Sequence, residues 1–325
     1  MMPVPDAMTS NPVICAGVIV ADHLCTPISH LPAAGELVPA ENLILNIGGC
    51  ASNAAVVLAK LGVRATVCGR VGDDVFGRFV VETLEASGVD ARGVRVDPAR
   101  PTSQSLIVNV ERQDRRFIHS FGANAGFQAS DLDPALASSA KVLYLGGYLL
   151  LPNLDADELA ERFARARRSG MTTVLDVAAP GPGEYLRRLL TVLAHTDVFL
   201  PNTDEATLIL GDADPVRQAL AFRDHGAKRV VVTRGDRGAI VASEGHRLRL
   251  GAYSVPYVDG TGGGDSFDAG YIAGLIDGLS EIDCLQLASA VGASCVRGVG
   301  TTTSVFTRAE ADAFIAARDL QIDPF

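Results

Sequence analysis

The sequence predicts an α/β fold: a three-layer sandwich with a central, mostly parallel sheet between helices, and a small β-sheet lid over the sheet's edge. Three observations carry that expectation. Short apolar runs rich in β-branched residues recur at 13–21, 65–72, 141–147, 172–178, 197–202 and 229–235. They do not alternate polar with apolar side chains, so they read as strands covered on both faces. The segments between them carry helical spacing: within 155–170, Leu159, Phe163 and Ala166 fall on one face and Gly170 ends the turn. Strand–helix–strand repetition implies a parallel sheet with helices on both faces, and ligand sites at the carboxyl ends of the strands. The third observation is where this rhythm breaks. Residues 22–45 are rich in proline and small side chains, and 102–122 alternate polar and apolar around a turn at 112–114, as antiparallel strands with one wet face do. A lid is therefore expected from about 22–45 and 100–122. The whole chain, 1–325, is expected to be one domain, since no linker, fixed-period repeat or low-complexity tract divides it.

A chain of 325 residues that is 48% hydrophobic and 20% charged can bury a large core, which argues against disorder. The formal charge of −10, with no run of Lys or Arg, argues against a nucleic-acid or anionic-membrane partner. A polyphosphate ligand would need backbone N–H groups and a metal ion to hold it. Cys15, Cys25, Cys50, Cys68, Cys284 and Cys295 show neither CxxC spacing nor the density of a disulfide scaffold, which fits a reducing cytoplasm. No Lys or Arg precedes the first apolar run, and that run is short and broken by Gly17, so neither a signal peptide nor a transmembrane helix is expected.

The segment VDGTGGGDSFDAGYIAGLIDG, 258–278, is the most informative. The triplet Gly262, Gly263, Gly264 runs into Asp265 and then a small-residue helix in which Phe267, Tyr271, Gly274 and Leu275 share a face. Bare glycine backbone lets successive N–H groups point at one anion, and the helix N-terminus adds about half a positive charge in the same direction. An acid there would repel a phosphate if it served only as a cap. As a proton acceptor between the anion hole and a substrate hydroxyl, Asp265 has a task. A Walker A loop is absent, and so is a strand followed by GxGxxG, which argues against P-loop NTPases and Rossmann dehydrogenases.

NIGGCASNAAVVLAKLG (46–62) and VDGTGGGDSFDAGYIAG (258–274) resemble the two signatures of the ribokinase (PfkB) family, and FLPNTDEATLILG and VVVTRGDRGAIV resemble two blocks between them. The resemblance spans essentially the whole chain. It implies a ribokinase-like kinase with Mg-ATP as phosphoryl donor and a hydroxyl of a sugar or nucleoside as acceptor. Asp265 is then the catalytic base, and Gly262, Gly263 and Gly264 form the anion hole. Asp22 matches the acid that holds sugar hydroxyls, and Gly48, Gly49 and Asn53 match the substrate-side turn and its amide. Asn202 and Glu205 match an N-x-x-E motif that arranges Mg2+ around the phosphates, though they also suit a helix cap with an acid in the first turn. Thr233, Gly235 and Gly238 match the loop passing the nucleotide. The family often binds a monovalent cation behind the anion hole, and the resemblance implies a site for one, such as K+, with ligands from Asp259, Thr261, Cys295, Gly298, Gly300 and Ser304.

Locally, Asp22 is read at the carboxyl end of the run 13–21, where an ionised acid can accept from two vicinal hydroxyls. Departures bear on the substrate. Val20 stands where ribokinases carry Asn, Cys50 where they carry Lys, and LYLGGYLL lacks their Glu, which argues against ribose. DVAAPG from Asp176 replaces the D-P-N-x-R of fructokinases and ketodeoxygluconate kinases and removes an Arg suited to a carboxylate, although Arg116 or His119 on the lid could take its place. The reading is a sugar kinase. A nucleoside kinase of the same fold and a sugar-binding pseudokinase are its rivals, the second disfavoured because base, anion hole and Mg2+ residues are all present. Leu106, Val108 and Val110 share one face of a lid strand, a face that could pair with a second lid in a homodimer.

Overall fold

The computed structural model describes residues 12–113, 115–132 and 140–325. From the N-terminus run β1 (Val13–Gly17), β2 (Val20–Ile28), β3 (Leu43–Gly48), α1 (Cys50–Lys60), β4 (Ala65–Gly72), α2 (Val75–Ala86) and β5 (Asp90–Asp97). Next come β6 (Gln104–Val110), β7 (Arg116–Ser120), β8 (Val142–Gly146), α3 (Ala156–Arg168), β9 (Thr172–Leu175), α4 (Leu186–Leu193), β10 (Val198–Phe199), α5 (Thr203–Leu210) and α6 (Pro215–Asp224). The last are β11 (Arg229–Thr233), β12 (Ala239–Ser243), β13 (Arg247–Leu250), α7 (Gly263–Ile276), α8 (Glu281–Cys295), α9 (Arg308–Ala316) and β14 (Ile322–Pro324).

The main sheet has the order β14-β13-β12-β11-β10-β9-β8-β1-β4-β5. It is parallel from β11 to β5, and antiparallel pairs add β12, β13 and β14 at one edge. Both faces are covered. Val13 and Cys15 of β1 point into a core shared with α1, α2, α7, α8 and α9, while Ile14 and Ala16 point into one shared with α3 to α6. This is why the strands lack polar alternation. Within α3, Asp155 caps the start and Leu159, Phe163 and Ala166 are buried, as the spacing implies.

The second sheet has the order β3-β2-β6-β7. It differs from the sequence expectation in being mixed: β2–β3 and β6–β7 are antiparallel, but β2 and β6, from distant segments, pair in parallel. At the turn, Arg112 takes φ 60°, and Asp114 lies outside the described residues. On the outer face, Cys25, Ile28 and Val110 pack under Val38 and Ala40 of the intervening loop. Val110 is therefore covered by its own chain, and Leu106 stays exposed.

The apolar run 13–21 is two strands in two sheets, not one. Gly17 bends the chain at φ 123°, and a Cβ there would lie 2.2 Å from the Gly146 carbonyl oxygen. Beyond it, backbone groups of Val18 and Ile19 leave the main ladder while fully buried. Val18 N–H donates to Gly146 O (3.2 Å), and Val18 O accepts from Ala51 N–H (3.1 Å). Ile19 is held by one side chain: its N–H donates to Asn124 Oδ1 (3.2 Å) and its carbonyl accepts from Asn124 Nδ2 (2.9 Å). Asn124, itself fully buried, thus satisfies the joint between the sheets. Asn124→Ala leaves both groups of Ile19 unpaired and should cost about 2–4 kcal/mol of stability. Urea unfolding measures it, and a loss under about 1 kcal/mol would mean that water or a backbone shift replaces the amide.

Candidate active site

Both α1, behind Gly49 at the end of β3, and α7, behind Gly262, start without a capping side chain. Gly262 takes φ 78°, and a Cβ there would meet Thr301 O at 2.4 Å, so glycine is required. Gly263 and Gly264 are the first two helical residues of α7 and Asp265 is the third. Gly263 N–H turns back to Gly260 O (3.2 Å). The open donors of the first turn belong to the residues that follow.

Asp265 faces the start of α1, where Asn53 Nδ2 donates to its Oδ2 at 2.7 Å. Burial raises its carboxyl, against hydrogen bonds from Asn53 and Cys50. Asp22 lies inside β2 and not at the end of a main-sheet strand, a correction that follows from the split run. It is buried, 5% exposed, and its carboxylate packs against the bare Cα of Gly48. Burial pushes it up to about 7; a hydrogen bond from Ser105 opposes this and the charge of Asp265 adds to it.

On the other side of Asp265 the structure brings in residues that sequence reasoning did not assign. Asp176, just past β9, is buried and accepts from Gly147 N–H at 2.9 Å. The Cys50 thiol, the Asp176 carboxylate and the Asp265 carboxylate each place an atom within 4.8 Å of the others. Asp268, one turn after Asp265 on α7, is buried and accepts from Tyr144 Oη at 3.1 Å. Burial pushes Asp176 up to about 8, with the charge of Asp265 adding to it. Burial likewise holds Asp268 and Glu205 well above the ordinary carboxylate range, Asp176 being the next cause for both. The charges that raise this group are other acids, so a divalent cation with oxygen-rich coordination fits among them. Two signals pointed here: an acid directly after a buried strand, and an acid at i+3 from Asp265 on a helix.

Asn202 and Glu205 form a reciprocal cap on α5. Asn202 Oδ1 accepts from Glu205 N–H, and Asn202 N–H donates to Glu205 Oε2, both at 2.9 Å. Thr233 ends β11, and Gly235 to Gly238 make the turn into antiparallel β12, so this stretch is also a hairpin. Of the expected cation ligands, Asp259 accepts from Thr261 N–H (3.0 Å) and Thr261 Oγ1 (2.7 Å), and from Gly300 N–H (3.3 Å). The Cys295 thiol donates to Thr261 O and Thr301 O. Ser304 presents its hydroxyl against Gly298, and its carbonyl accepts from Arg297. These residues form one cluster behind α7. Arg116, expected as a partner for a carboxylate, shares the outer face with Val108 and donates to Gln113, so it does not reach the site.

The sandwich with its four-stranded appendage, and an acid beside two uncapped helix starts, define the ribokinase-like class of kinases. The family model described as "pfkB family carbohydrate kinase" matches residues 9–308, and the chain belongs to that family; it is a carbohydrate kinase. It is 26% identical to a ribokinase of Haemophilus influenzae over 304 residues, 92% of this chain and 96% of that one. It is 30% identical to a 2-dehydro-3-deoxygluconokinase of Thermoproteus tenax over 282 residues, 84% of this chain and 86% of that one. Among solved structures it is similar to Arabidopsis thaliana ribokinase complexed with ribose and ATP (TM-score 0.80, 24% identity, covering 94% and 99%). It is also similar to an E. coli protein in complex with ATP and Mg2+ (TM-score 0.82, 25% identity, covering 95% and 100%).

Acids raised by burial hold their protons more tightly folded than unfolded, so their contribution is complete below about pH 4 and is lost as pH rises through 7 to 8. In the absence of divalent ions the melting temperature should therefore fall by about 3 °C or more between pH 6 and pH 8.5. Mg2+ should recover part of the loss at pH 8.5, and Asp176→Asn should flatten the slope. A melting temperature that holds level or rises over this range would contradict uncompensated buried carboxylates.

Proposed function

We propose that the chain transfers the γ-phosphoryl group of ATP to a hydroxyl of a small sugar, with Asp265 as general base. The observation that carries this is Asp265 itself, oriented by Asn53 at 2.7 Å within the first turn of the uncapped α7. Asp22 and Asn53 hold the acceptor, with Gly48 and Gly49 allowing close backbone approach. As the acceptor oxygen attacks phosphorus, Asp265 takes its proton and the bond from phosphorus to the β-phosphate oxygen breaks, leaving ADP. The open N–H groups of α7 meet charge developing on the transferred group. Thr233, Gly235 and Gly238 flank the nucleotide. Mg2+, when bound, neutralises phosphate charge, and Asp176, Glu205 and Asn202 are the residues that would hold it, directly or through water. The Asp259 cluster, with its carboxylate and neighbouring carbonyls, is the place for a K+ ion.

The four-stranded sheet serves as the lid. Its outer face exposes Leu43, Leu106 and Ile118, and we assign that face to contact with a second copy in a homodimer. A monomeric mass by light scattering at working concentration would remove the dimer.

ADP release with Mg-ATP over pentoses, hexoses, sugar acids, sugar phosphates and nucleosides, with and without K+, tests the activity. Turnover of a sugar is expected. Asp265→Asn should lose about 10²–10⁴ in kcat while still binding ATP. A fully active Asn variant would end the assignment of the base, and a folded, ATP-binding wild type silent with every acceptor would favour a sugar-binding protein without turnover.

A further inference from the structure

One polar row crosses all four strands of the small sheet. Asn46 on β3 pairs with Asp22 on β2, Asp22 with Ser105 on β6, and Ser105 with His119 on β7. Paired residues share a face, so the row lies on the side where Asp22 meets Gly48 and feels Asp265. The next row on that face, Ile44, Leu24, Ile107 and Phe117, is apolar.

The hydrogens along the row can be placed from valence. The Ser105 hydroxyl bonds the Asp22 carboxyl on one side and lies 3.0 Å from His119 Nδ1 on the other. It has one proton. Above about pH 7, where Asp22 is ionised, that proton goes to the carboxylate, so Ser105 Oγ accepts from Nδ1–H, and the ring is left with a bare Nε2. Burial lowers the affinity of His119 for a second proton, keeping the ring neutral. His119 Nε2 is buried and has no hydrogen-bond partner. Asn53 repeats the pattern: Nδ2 is committed to Asp265, and Oδ1 is buried without a partner.

We infer that His119 is a further acceptor-recognising residue, whose bare Nε2 takes a hydrogen bond from a hydroxyl of an uncharged, polyhydroxylated acceptor. The inference rests on the kinase reading and narrows its substrate class. Asp22, Asn53 Oδ1 and His119 Nε2 all require donors, and sugar hydroxyls supply donors without charge. A carboxylate or phosphate on the acceptor would bring more lone pairs to these three acceptors, and negative charge beside Asp22 and Asp265. The cation on the same face, Arg115, is engaged by the Phe117 ring at 5.5 Å and by Asp259 at 3.9 Å.

The test is steady-state kinetics at pH 8, where Asp22 is ionised, of wild type, His119→Phe and His119→Gln with neutral sugars and the matching sugar acids and sugar phosphates. Wild type should prefer a neutral sugar. His119→Phe should raise KM for that sugar about tenfold, with kcat and the KM for Mg-ATP within about threefold of wild type. His119→Gln, which keeps an acceptor atom, should recover most of the loss. A purely structural role would instead move kcat, both KM values and the melting temperature together, without rescue by Gln. An unchanged KM in His119→Phe, or a wild-type preference for an acid or phosphate, overturns the inference and leaves the kinase reading standing. Absence of turnover with every acceptor overturns both.

Discussion

Asp265, Asp176, Asp268 and Glu205 meet where the strand ends of the main sheet face the open starts of α1 and α7, and each is raised by burial together with the others' charge or against hydrogen bonds. Four acids held this way are costly to keep ionised, and the surroundings are arranged around that cost. Helix starts without capping side chains supply partial positive charge, and Gly147, Asn53, Tyr144 and Cys50 supply hydrogen bonds. What such a place lacks is a mobile positive charge. A nucleotide arriving with a divalent cation would supply it, and would also meet the N–H groups that the acids leave open.

The Asp22 side of the site depends on a different device. Asp22 reaches the site because the chain turns at Gly17 and leaves the main sheet after one strand, and Asn124 meets the backbone needs of Ile19 that the turn creates. The small sheet is thereby anchored at its root to β1, while its far edge, β7, hangs by hydrogen bonds to β6. This geometry lets one sheet carry the polar row from Asn46 to His119 on one face, while its root, at Val20, Ala21 and Ile47, packs into the main cores.

Side chains that look redundant in sequence acquire distinct work from this arrangement. Asn202 and Glu205 cap α5 reciprocally, and Glu205 also feels the charge of Asp176, so the cap fixes an acid beside the buried carboxylates. Asp259 is spent on ordering its own loop, through Thr261 and Gly300, before any ion is considered. Cys50, a small thiol at the start of α1, can lie between two carboxylates where a longer cation would fill the space.

The sequence by itself determined the α/β class, several main-sheet strands as apolar runs, the helix within 155–170 and the glycine turn ahead of Asp265, because each is encoded locally: apolar runs set strands, i to i+4 spacing sets helices, and adjacent glycines set a bare turn. Tertiary structure decided what depends on non-local pairing. The division of 13–21 between two sheets turns on Gly146 and Asn124, more than a hundred residues away. The parallel pairing of β2 with β6, the approach of Asp176 and Tyr144 to Asp265 and Asp268, and the row that ends at His119 follow from register across strands that the chain visits far apart in sequence. No local pattern carries register, because a shift of one residue alters every facing side chain while leaving each segment's own periodicity unchanged.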